Sequence, residues 1–163
     1  MNIYFSIGSN LGNRLQNLRA ASQRLEELGE ISAKSSVFET AAWGGVKQPD
    51  YLNACLKVKT SKTVEPLEIL KTVKNFETEI GRVPSVHWGP RKIDIDIIMI
   101  DDLIFHSQIL SIPHARMSER LFVLVPLKEI LPSDFRHPEN NLTAEKMIKA
   151  LDNEPYPLRI TDL

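Results

Sequence analysis

Two hydrophobic periodicities alternate along the N-terminal two-thirds of this chain. Apolar residues at every second position, such as Ile3, Phe5 and Ile7, are typical of half-buried strands, whereas leucines three or four positions apart are typical of amphipathic helices. A glycine follows each helical run and suits a helix end. The predicted strands cover 2–7, 31–37, 52–58 and 93–100, and the predicted helices cover 11–28 and 66–80.

The rest of the chain predicts shorter elements. Short extended pieces are expected near Leu103 and Ile109, followed by a helical segment over 116–130. Thr143 lies between Leu142 and Met147, an arrangement that predicts a last helix with Thr143 as its N-cap. No repeat or linker interrupts the pattern, so the sequence predicts one domain over residues 1–163.

The order strand, helix, strand, strand, helix, strand predicts an α+β, ferredoxin-like fold. Such a fold has an antiparallel sheet with helices packed on one face, and here extra C-terminal elements follow. The loops over 40–50 and 82–90 are expected to be mobile, the first because it contains Gly44 and Gly45. This fold hosts enzymes, regulatory modules and RNA-binding proteins, so function must be argued from the site.

Composition narrows the class of protein. Twenty Lys and Arg residues face 21 Asp and Glu residues, so no global field favours nucleic acid or an anionic membrane as a partner. Cys55 is the only cysteine, which excludes an internal disulfide framework and a cysteine-based zinc site. With no signal-like start and no long apolar run, the sequence predicts a cytoplasmic protein, and it gives no sign of an obligate protein partner.

The sharpest chemical signal is a pair of carboxylates in an isoleucine-rich strand. In a strand, Asp94 and Asp96 project from the same face about 7 Å apart, while the isoleucines occupy the other face. Neighbouring carboxylates repel each other and are costly to desolvate, which favours a cation between them. Oxygen ligands favour magnesium. The alternative is that the two acids line a solvated sheet face.

Basic residues surround this carboxylate pair in the sequence. They are Arg82, Arg91, His114, Arg116 and Arg120. A metal pair surrounded by cations suits a polyphosphate, whose charge it neutralises.

The usual glycine-rich nucleotide-binding motifs are absent, so a nucleotide site here must be of another kind. A transition-metal site formed by His87, Asp94 and His114 is conceivable, although their spacing does not support it.

A second group of residues suits a flat heterocycle. Tyr51 and Asn53 point to the opposite face from Leu52, and Phe122 and Trp88 add further rings. Aromatic rings stack on such a ligand, and an amide reads its donor and acceptor edge. Taken singly, Tyr51 and Phe122 are more typical of ordinary core, and Glu77 of a solvated helix residue.

Several motifs in the right order together resemble one family. They are Gly8-Ser9-Asn10-Leu11-Gly12, Gln48-Pro49-Asp50-Tyr51-Leu52-Asn53, Gly81-Arg82, the stretch from Trp88 to Ile98, and Pro113-His114 with Arg120, Phe122 and Pro126-Leu127. The chain resembles the 6-hydroxymethyl-7,8-dihydropterin pyrophosphokinases of folate biosynthesis. The resemblance covers most of the chain, and the run W-G-P-R-x-x-D-I-D is highly specific.

The resemblance implies transfer of a pyrophosphoryl group from ATP to the hydroxymethyl oxygen of the pterin, with release of AMP. It implies a ferredoxin-like fold and two Mg²⁺ ions held by Asp94 and Asp96. The implied catalytic residues are Arg82, Arg91, Asp94 and Asp96; those for the pterin are Thr40, Ala41, Trp43, Tyr51, Asn53, Trp88 and Phe122; those for ATP are Glu77, Arg91, His114 and Arg120.

The chain also departs from the family pattern. Well-known members carry more arginines in the loop that closes over the reactants, whereas this chain has Pro84, Ser85, Val86 and His87. The second hypothesis is a noncatalytic ferredoxin-like module that binds a small ligand or RNA. An RNA-binding sheet would present aromatic residues where this strand presents two acids.

Overall fold

The computed structural model describes residues 1–42, 48–83 and 89–163. Its strands are β1 (Asn2–Ser9), β2 (Glu30–Lys34), β3 (Ser36–Thr40), β4 (Tyr51–Lys59), β5 (Asp94–Ile100), β6 (Phe105–His106), β7 (Ser111–Ile112) and β8 (Leu158–Asp162). Its α-helices are α1 (Arg14–Leu25), α2 (Pro66–Glu79), α3 (Leu121–Lys128) and α4 (Ala144–Lys149), and a 3₁₀ turn covers Met117–Glu119.

An antiparallel sheet with strand order β5-β1-β4-β3-β8 organises the molecule, and β2 also pairs with β4. In the register of this sheet, Ser6 lies opposite Asp96, and Gly8 lies between Asn53 and Asp94. Cross-strand neighbours share a sheet face. The register therefore brings Asn53, Asp94 and Asp96 onto one face over three adjacent strands.

The two faces of the sheet are covered by different helices. On one face, α1 and α2 pack over a core that includes Phe5, Leu56 and Ile95. On the other face, α3 and α4 pack over a second cluster that includes Cys55 and Met99. The face that carries the two acids is thus closed by α3 and α4 at one end, and the acids lie beyond that cover.

The ferredoxin-like class predicted from the sequence is confirmed, with differences at element ends. The first helix begins after Asn13, whose side chain accepts a hydrogen bond from the N–H of Gln16 (3.1 Å). The single strand predicted over 31–37 is two strands separated by Ser35, whose hydroxyl accepts from the N–H of Cys55 (2.8 Å). That side-chain hydrogen bond to the neighbouring strand marks an irregularity that alternation does not reveal.

The C-terminal third follows the prediction in part. The extended pieces form a small hairpin of β6 and β7, and the helical segment over 116–130 divides into the 3₁₀ turn and α3. The predicted N-cap of the last helix is confirmed, because Thr143 accepts from the N–H of Lys146 (3.2 Å). The strand β8, which the sequence did not predict, adds to the free edge of β3.

Within the three described ranges, no helix has the length and apolarity needed to cross a bilayer.

Candidate active site

A cavity of about 280 Å³ opens on the sheet face that carries the two acids. The predicted site residues that line it are Thr40, Ala41, Tyr51, Asn53, Arg91, Asp94, Asp96, His114, Arg120 and Phe122. They come from β3, β4, β5, α3 and the segments before and after β5, so residues distant in sequence converge on one concave surface. A concave site with convergent polar groups is the usual form of a small-molecule site.

Asp94 is the more heavily paired of the two acids. One of its carboxylate oxygens accepts from Arg82 (2.8 Å) and the other from Arg91 (2.9 Å). The carboxylate is half-buried, with 24% of the side chain exposed. Two guanidinium groups therefore hold its charge and its orientation at the cavity wall.

Asp96 lies deeper in the site, and its surroundings are electrostatically unfavourable. Burial raises the pKa of its carboxyl, and the negative charge of Asp94 raises the pKa further, while Lys74 and His114 oppose this. Among the described residues, no direct ion pair or hydrogen bond reaches the Asp96 carboxylate. A half-buried carboxylate of this kind has oxygens available to a cation in the cavity.

The fit of a magnesium ion follows from the donor set. Within the described residues there is no cluster of three or more His, Cys, Asp or Glu side chains that could enclose a metal. Magnesium commonly takes one or two protein carboxylates, and water and substrate phosphates complete its shell. The pair Asp94 and Asp96 fits that mode, and the described part of the chain gives no support to a self-sufficient transition-metal site.

Arg91 and Arg120 give the cavity a cationic wall near the two acids, and His114 lies in the same wall. The backbone N–H of His114 donates to the carbonyl of Ile98 (2.9 Å), and its Nδ1 accepts from the N–H of Arg116 (3.1 Å). Burial lowers the pKa of His114, although the charge of Asp96 opposes the shift. The Arg120 guanidinium lies 5.5 Å from the centre of the Phe122 ring, within cation–π range.

Another part of the cavity lining combines rings with a buried amide. Asn53 is 3% exposed, and its Nδ2 donates to Thr40 Oγ1 (2.9 Å). Gly8 leaves room for this amide, since a Cβ at that position would lie 3.0 Å from Asn53 Oδ1. Tyr51 and Phe122 line the same cavity, from β4 and α3. This part of the site suits a flat, polar-edged ligand.

Two predicted site residues lie behind the cavity wall. Glu77, expected at ATP, is 2% exposed on α2, and its Oε1 accepts from the N–H of Ile95 (2.7 Å) and from Lys74 Nζ (2.8 Å). Arg82 binds both Glu77 and Asp94. Neither residue is among the described residues that line the cavity. Glu77 therefore reaches the site only through its partners, and burial raises the pKa of its carboxyl.

Trp43 and Trp88, predicted for the pterin, lie outside the described residues. So do His87, Gly44 and Gly45, and with them residues 43–47 and 84–88 of the two loops that were expected to be mobile. These predictions therefore remain predictions.

Three further residues line the cavity for which no role was predicted: Ser6, Gly8 and Gln48. The alternation of β1 was the available signal for the first two, since Ser6 and Gly8 share a face opposite to Phe5 and Ile7. Gln48 belongs to a motif of the family resemblance, but no local pattern indicates that it faces the cavity.

Comparisons with known proteins converge on one family. Residues 4–132 match the family model described as 7,8-dihydro-6-hydroxymethylpterin-pyrophosphokinase (HPPK). The 2-amino-4-hydroxy-6-hydroxymethyldihydropteridine pyrophosphokinase of Aquifex aeolicus is 38% identical over 151 residues, which are 90% of this chain and 93% of that protein. The enzyme of the same name from Bacillus subtilis is 40% identical over 129 residues, covering 78% of this chain and 76% of the relative.

Solved structures agree on the fold. A crystal structure of Plasmodium falciparum HPPK-DHPS with pteroate superposes with a TM-score of 0.71 at 16% sequence identity. The match covers 91% of this chain and 42% of that longer chain.

Proposed function

The chain belongs to the 7,8-dihydro-6-hydroxymethylpterin-pyrophosphokinase family, and we propose that its reaction depends on magnesium held between ATP and the pair Asp94 and Asp96. The reaction is transfer of the pyrophosphoryl group of ATP to the hydroxymethyl group of 6-hydroxymethyl-7,8-dihydropterin, a step of folate biosynthesis. The family match does not favour the noncatalytic ligand- or RNA-binding alternative.

The observation that carries the metal proposal is the unequal environment of the two acids. Asp94 is paired with two arginines, whereas Asp96 faces the cavity with its pKa raised by burial and by the charge of Asp94. A divalent cation at the two acids offsets both the cost of burying the Asp96 charge and the repulsion between the two carboxylates. When bound, magnesium neutralises charge on the triphosphate, and two ions would share the two carboxylates.

The cationic wall supports the proposed ATP contacts. Arg91, His114 and Arg120 line the cavity near the two acids, where they would contact phosphate oxygens and stabilise the charge that develops on the AMP leaving group. Arg82 would act from behind, because it holds the Asp94 carboxylate in place. For Glu77, the buried hydrogen bonds support an indirect role in place of a contact with ATP.

The rings and the buried amide support the proposed pterin contacts. The rings of Tyr51 and Phe122 would stack on the pterin, and the buried amide of Asn53 would read its polar edge together with Thr40 and Ala41. The hydroxymethyl oxygen would then lie in line with the β-phosphorus of ATP. A new O–P bond forms as the bond between the α,β-bridging oxygen and the β-phosphorus breaks, and AMP leaves.

The products test this function directly. Incubation of the protein with ATP, MgCl₂ and 6-hydroxymethyl-7,8-dihydropterin, followed by chromatography, should show AMP rising in step with pterin diphosphate. The same mixture with EDTA in place of MgCl₂ should show neither product. Formation of ADP with a pterin monophosphate would contradict the assignment, because a common kinase attacks the γ-phosphorus. Turnover in EDTA would contradict the metal proposal.

Asn53→Ala is expected to weaken pterin binding by about 1 to 3 kcal/mol, because the polar edge of the pterin then loses its partner in a desolvated site. Affinity for an ATP analogue should change far less, since the cationic wall is left intact. Calorimetry with each ligand alone measures both effects. A matched control is Asn17→Ala, which removes a buried amide of α1 that does not line the cavity. Equal losses for the two ligands in Asn53→Ala would overturn the assignment.

Two further proposals concern the whole chain. We propose that residues 1–163 act as one catalytic domain, because β8 near the C-terminus pairs with β3 in the main sheet. We also propose a cytoplasmic location, which a single buried cysteine fits, since a reducing compartment gives no use for disulfides.

A further inference from the structure

Asn10 is a buried side chain that joins two walls of the cavity without lining it. It follows β1 in the Gly8–Gly12 motif and is 2% exposed. Its Nδ2 donates to Gln48 Oε1 (3.0 Å) and to the carbonyl of Pro49 (3.0 Å). Its Oδ1 accepts from the backbone N–H of Arg91 (2.7 Å), and its own N–H donates to the Arg91 carbonyl (3.1 Å).

These contacts divide the amide into two halves with different partners. The donor half holds the segment that enters β4, where Tyr51 and Asn53 provide the rings and amide of the cavity. The acceptor half holds the backbone of Arg91, whose side chain pairs with Asp94. One planar group thus fixes the relative positions of the proposed pterin wall and the proposed phosphate wall.

We propose that Asn10 is a positioning residue that couples pterin binding to ATP binding. The inference rests on the proposed function, which assigns Arg91 to ATP and the segment around Tyr51 to the pterin. Contact with phosphate restricts the motion of the Arg91 backbone, and the hydrogen bonds of the Asn10 amide transmit this restriction to Gln48 and Pro49. A site ordered by the first ligand then costs the second ligand less to bind.

Asn17, on α1, supplies a matched control that binds the same loop. It is also a buried asparagine, and its Nδ2 donates to Ser9 Oγ (3.1 Å), the Leu11 carbonyl (2.9 Å) and the Lys92 carbonyl (3.0 Å). Asn17 therefore ties the loop after β1 to the segment before β5, as Asn10 does. Among its described hydrogen bonds, none reaches the segment of Gln48 and Pro49.

The chemistry of the amide allows its two halves to be separated. Asn10→Asp keeps an oxygen that accepts from the Arg91 N–H but removes the donor to Gln48 and Pro49. Asn10→Ser keeps a hydroxyl that is too short to satisfy both segments at once. Asn17→Asp makes the same chemical change at the control position.

The experiment measures the pterin dissociation constant by its fluorescence, with and without saturating α,β-methylene-ATP and MgCl₂, in each full-length variant. The ratio of the two constants is the coupling factor, for which about 5- to 150-fold is typical of coupled sites. In Asn10→Asp and Asn10→Ser the ratio should fall to within about twofold of unity. Asn17→Asp should keep the wild-type ratio, even if its melting temperature falls. If Asn17→Asp fails to fold, as judged by circular dichroism, Asn17→Ser takes its place.

Three outcomes would overturn the inference: a wild-type ratio of one, an unchanged ratio in both Asn10 variants, or an equal fall in the Asn10 and Asn17 variants. The last outcome would mean that any loosening of the loop destroys coupling. Product analysis of the wild-type protein separates this inference from the function itself. If AMP and pterin diphosphate form, the function stands whatever the coupling factor; if they do not, the function fails on its own evidence.

Discussion

Asp96→Asn should reduce pyrophosphoryl transfer by about 1,000-fold or more while leaving the protein folded, because it removes a proposed magnesium ligand at the reacting phosphates. A loss of this size corresponds to about 4 kcal/mol of transition-state stabilisation, the scale expected for a metal contribution. Single-turnover measurements of AMP release at saturating ATP and pterin would give the effect on the chemical step. A rate within tenfold of wild type would show that Asp96 is not a metal ligand.

The same substitution should make the metal-free protein more stable at neutral pH, by on the order of 1 kcal/mol, because functional sites often carry unfavourable charge. Burial and the charge of Asp94 raise the pKa of Asp96 in the folded state. Protonation of Asp96 therefore stabilises the folded protein. This stabilisation is fully present below the pKa that Asp96 has in the unfolded state, and it is lost as pH rises through the raised pKa of the folded state. The stability gain of Asp96→Asn over wild type should accordingly grow with pH across that window.

Asp94→Asn is the control that separates charge from site chemistry. It should also abolish turnover, but Asp94 pairs with Arg82 and Arg91, so its loss should lower stability in EDTA. Thermal denaturation in EDTA at several pH values tests whether Asp96→Asn raises the melting temperature while Asp94→Asn lowers it. Addition of MgCl₂ with α,β-methylene-ATP should raise the melting temperature of wild type and have little effect on either variant. Equal destabilisation of both variants would contradict the environment inferred for Asp96.

The half of the site that lies on the sheet could be predicted because strand periodicity is local. Two residues apart on one strand, Asp94 and Asp96 must share a face, and Tyr51 and Asn53 must do so on another strand. The isoleucines opposite them, such as Ile95, are indeed buried under the helices α1 and α2. What alternation could not give is the register that places the two pairs at the same level on either side of β1, since this depends on how β1 pairs with both neighbours.

The other half of the site depends on contacts that no local pattern encodes. His114, Arg120 and Phe122 reach the cavity through the segment after β7 and the start of α3. Residue type made them candidates, but only the family resemblance implied which ligand each would contact. Likewise, helical spacing shows that Lys74 and Glu77 share a helix face, but not which strand that face meets. The resemblance assigned Glu77 to ATP, whereas the tertiary packing buries it against β5.

The position of Glu77 has a structural reason in the sheet. β5 is an edge strand, so its outer N–H and C=O groups need partners from outside the main sheet. At Ile95, between the two acids, Glu77 accepts from the N–H (2.7 Å) and Lys74 donates to the C=O (3.3 Å). The i, i+3 pair on α2 thus holds the peptide from which the two carboxylates project, and Arg82 extends this network to Asp94.

Glu77→Ala is therefore expected to lower the free energy of unfolding by about 2 to 3 kcal/mol, because it leaves the buried Ile95 N–H without an acceptor and removes the partner of two cations. Urea denaturation at neutral pH measures this loss. Glu79→Ala is the control on the same helix: its partly exposed ion pair with Arg24 should contribute less than about 1 kcal/mol. Glu77→Gln, which keeps an acceptor for Ile95, should fall between the two. If Glu77→Gln instead weakened ATP-analogue binding without any loss of stability, a direct contact between Glu77 and ATP would replace the structural role argued from its burial.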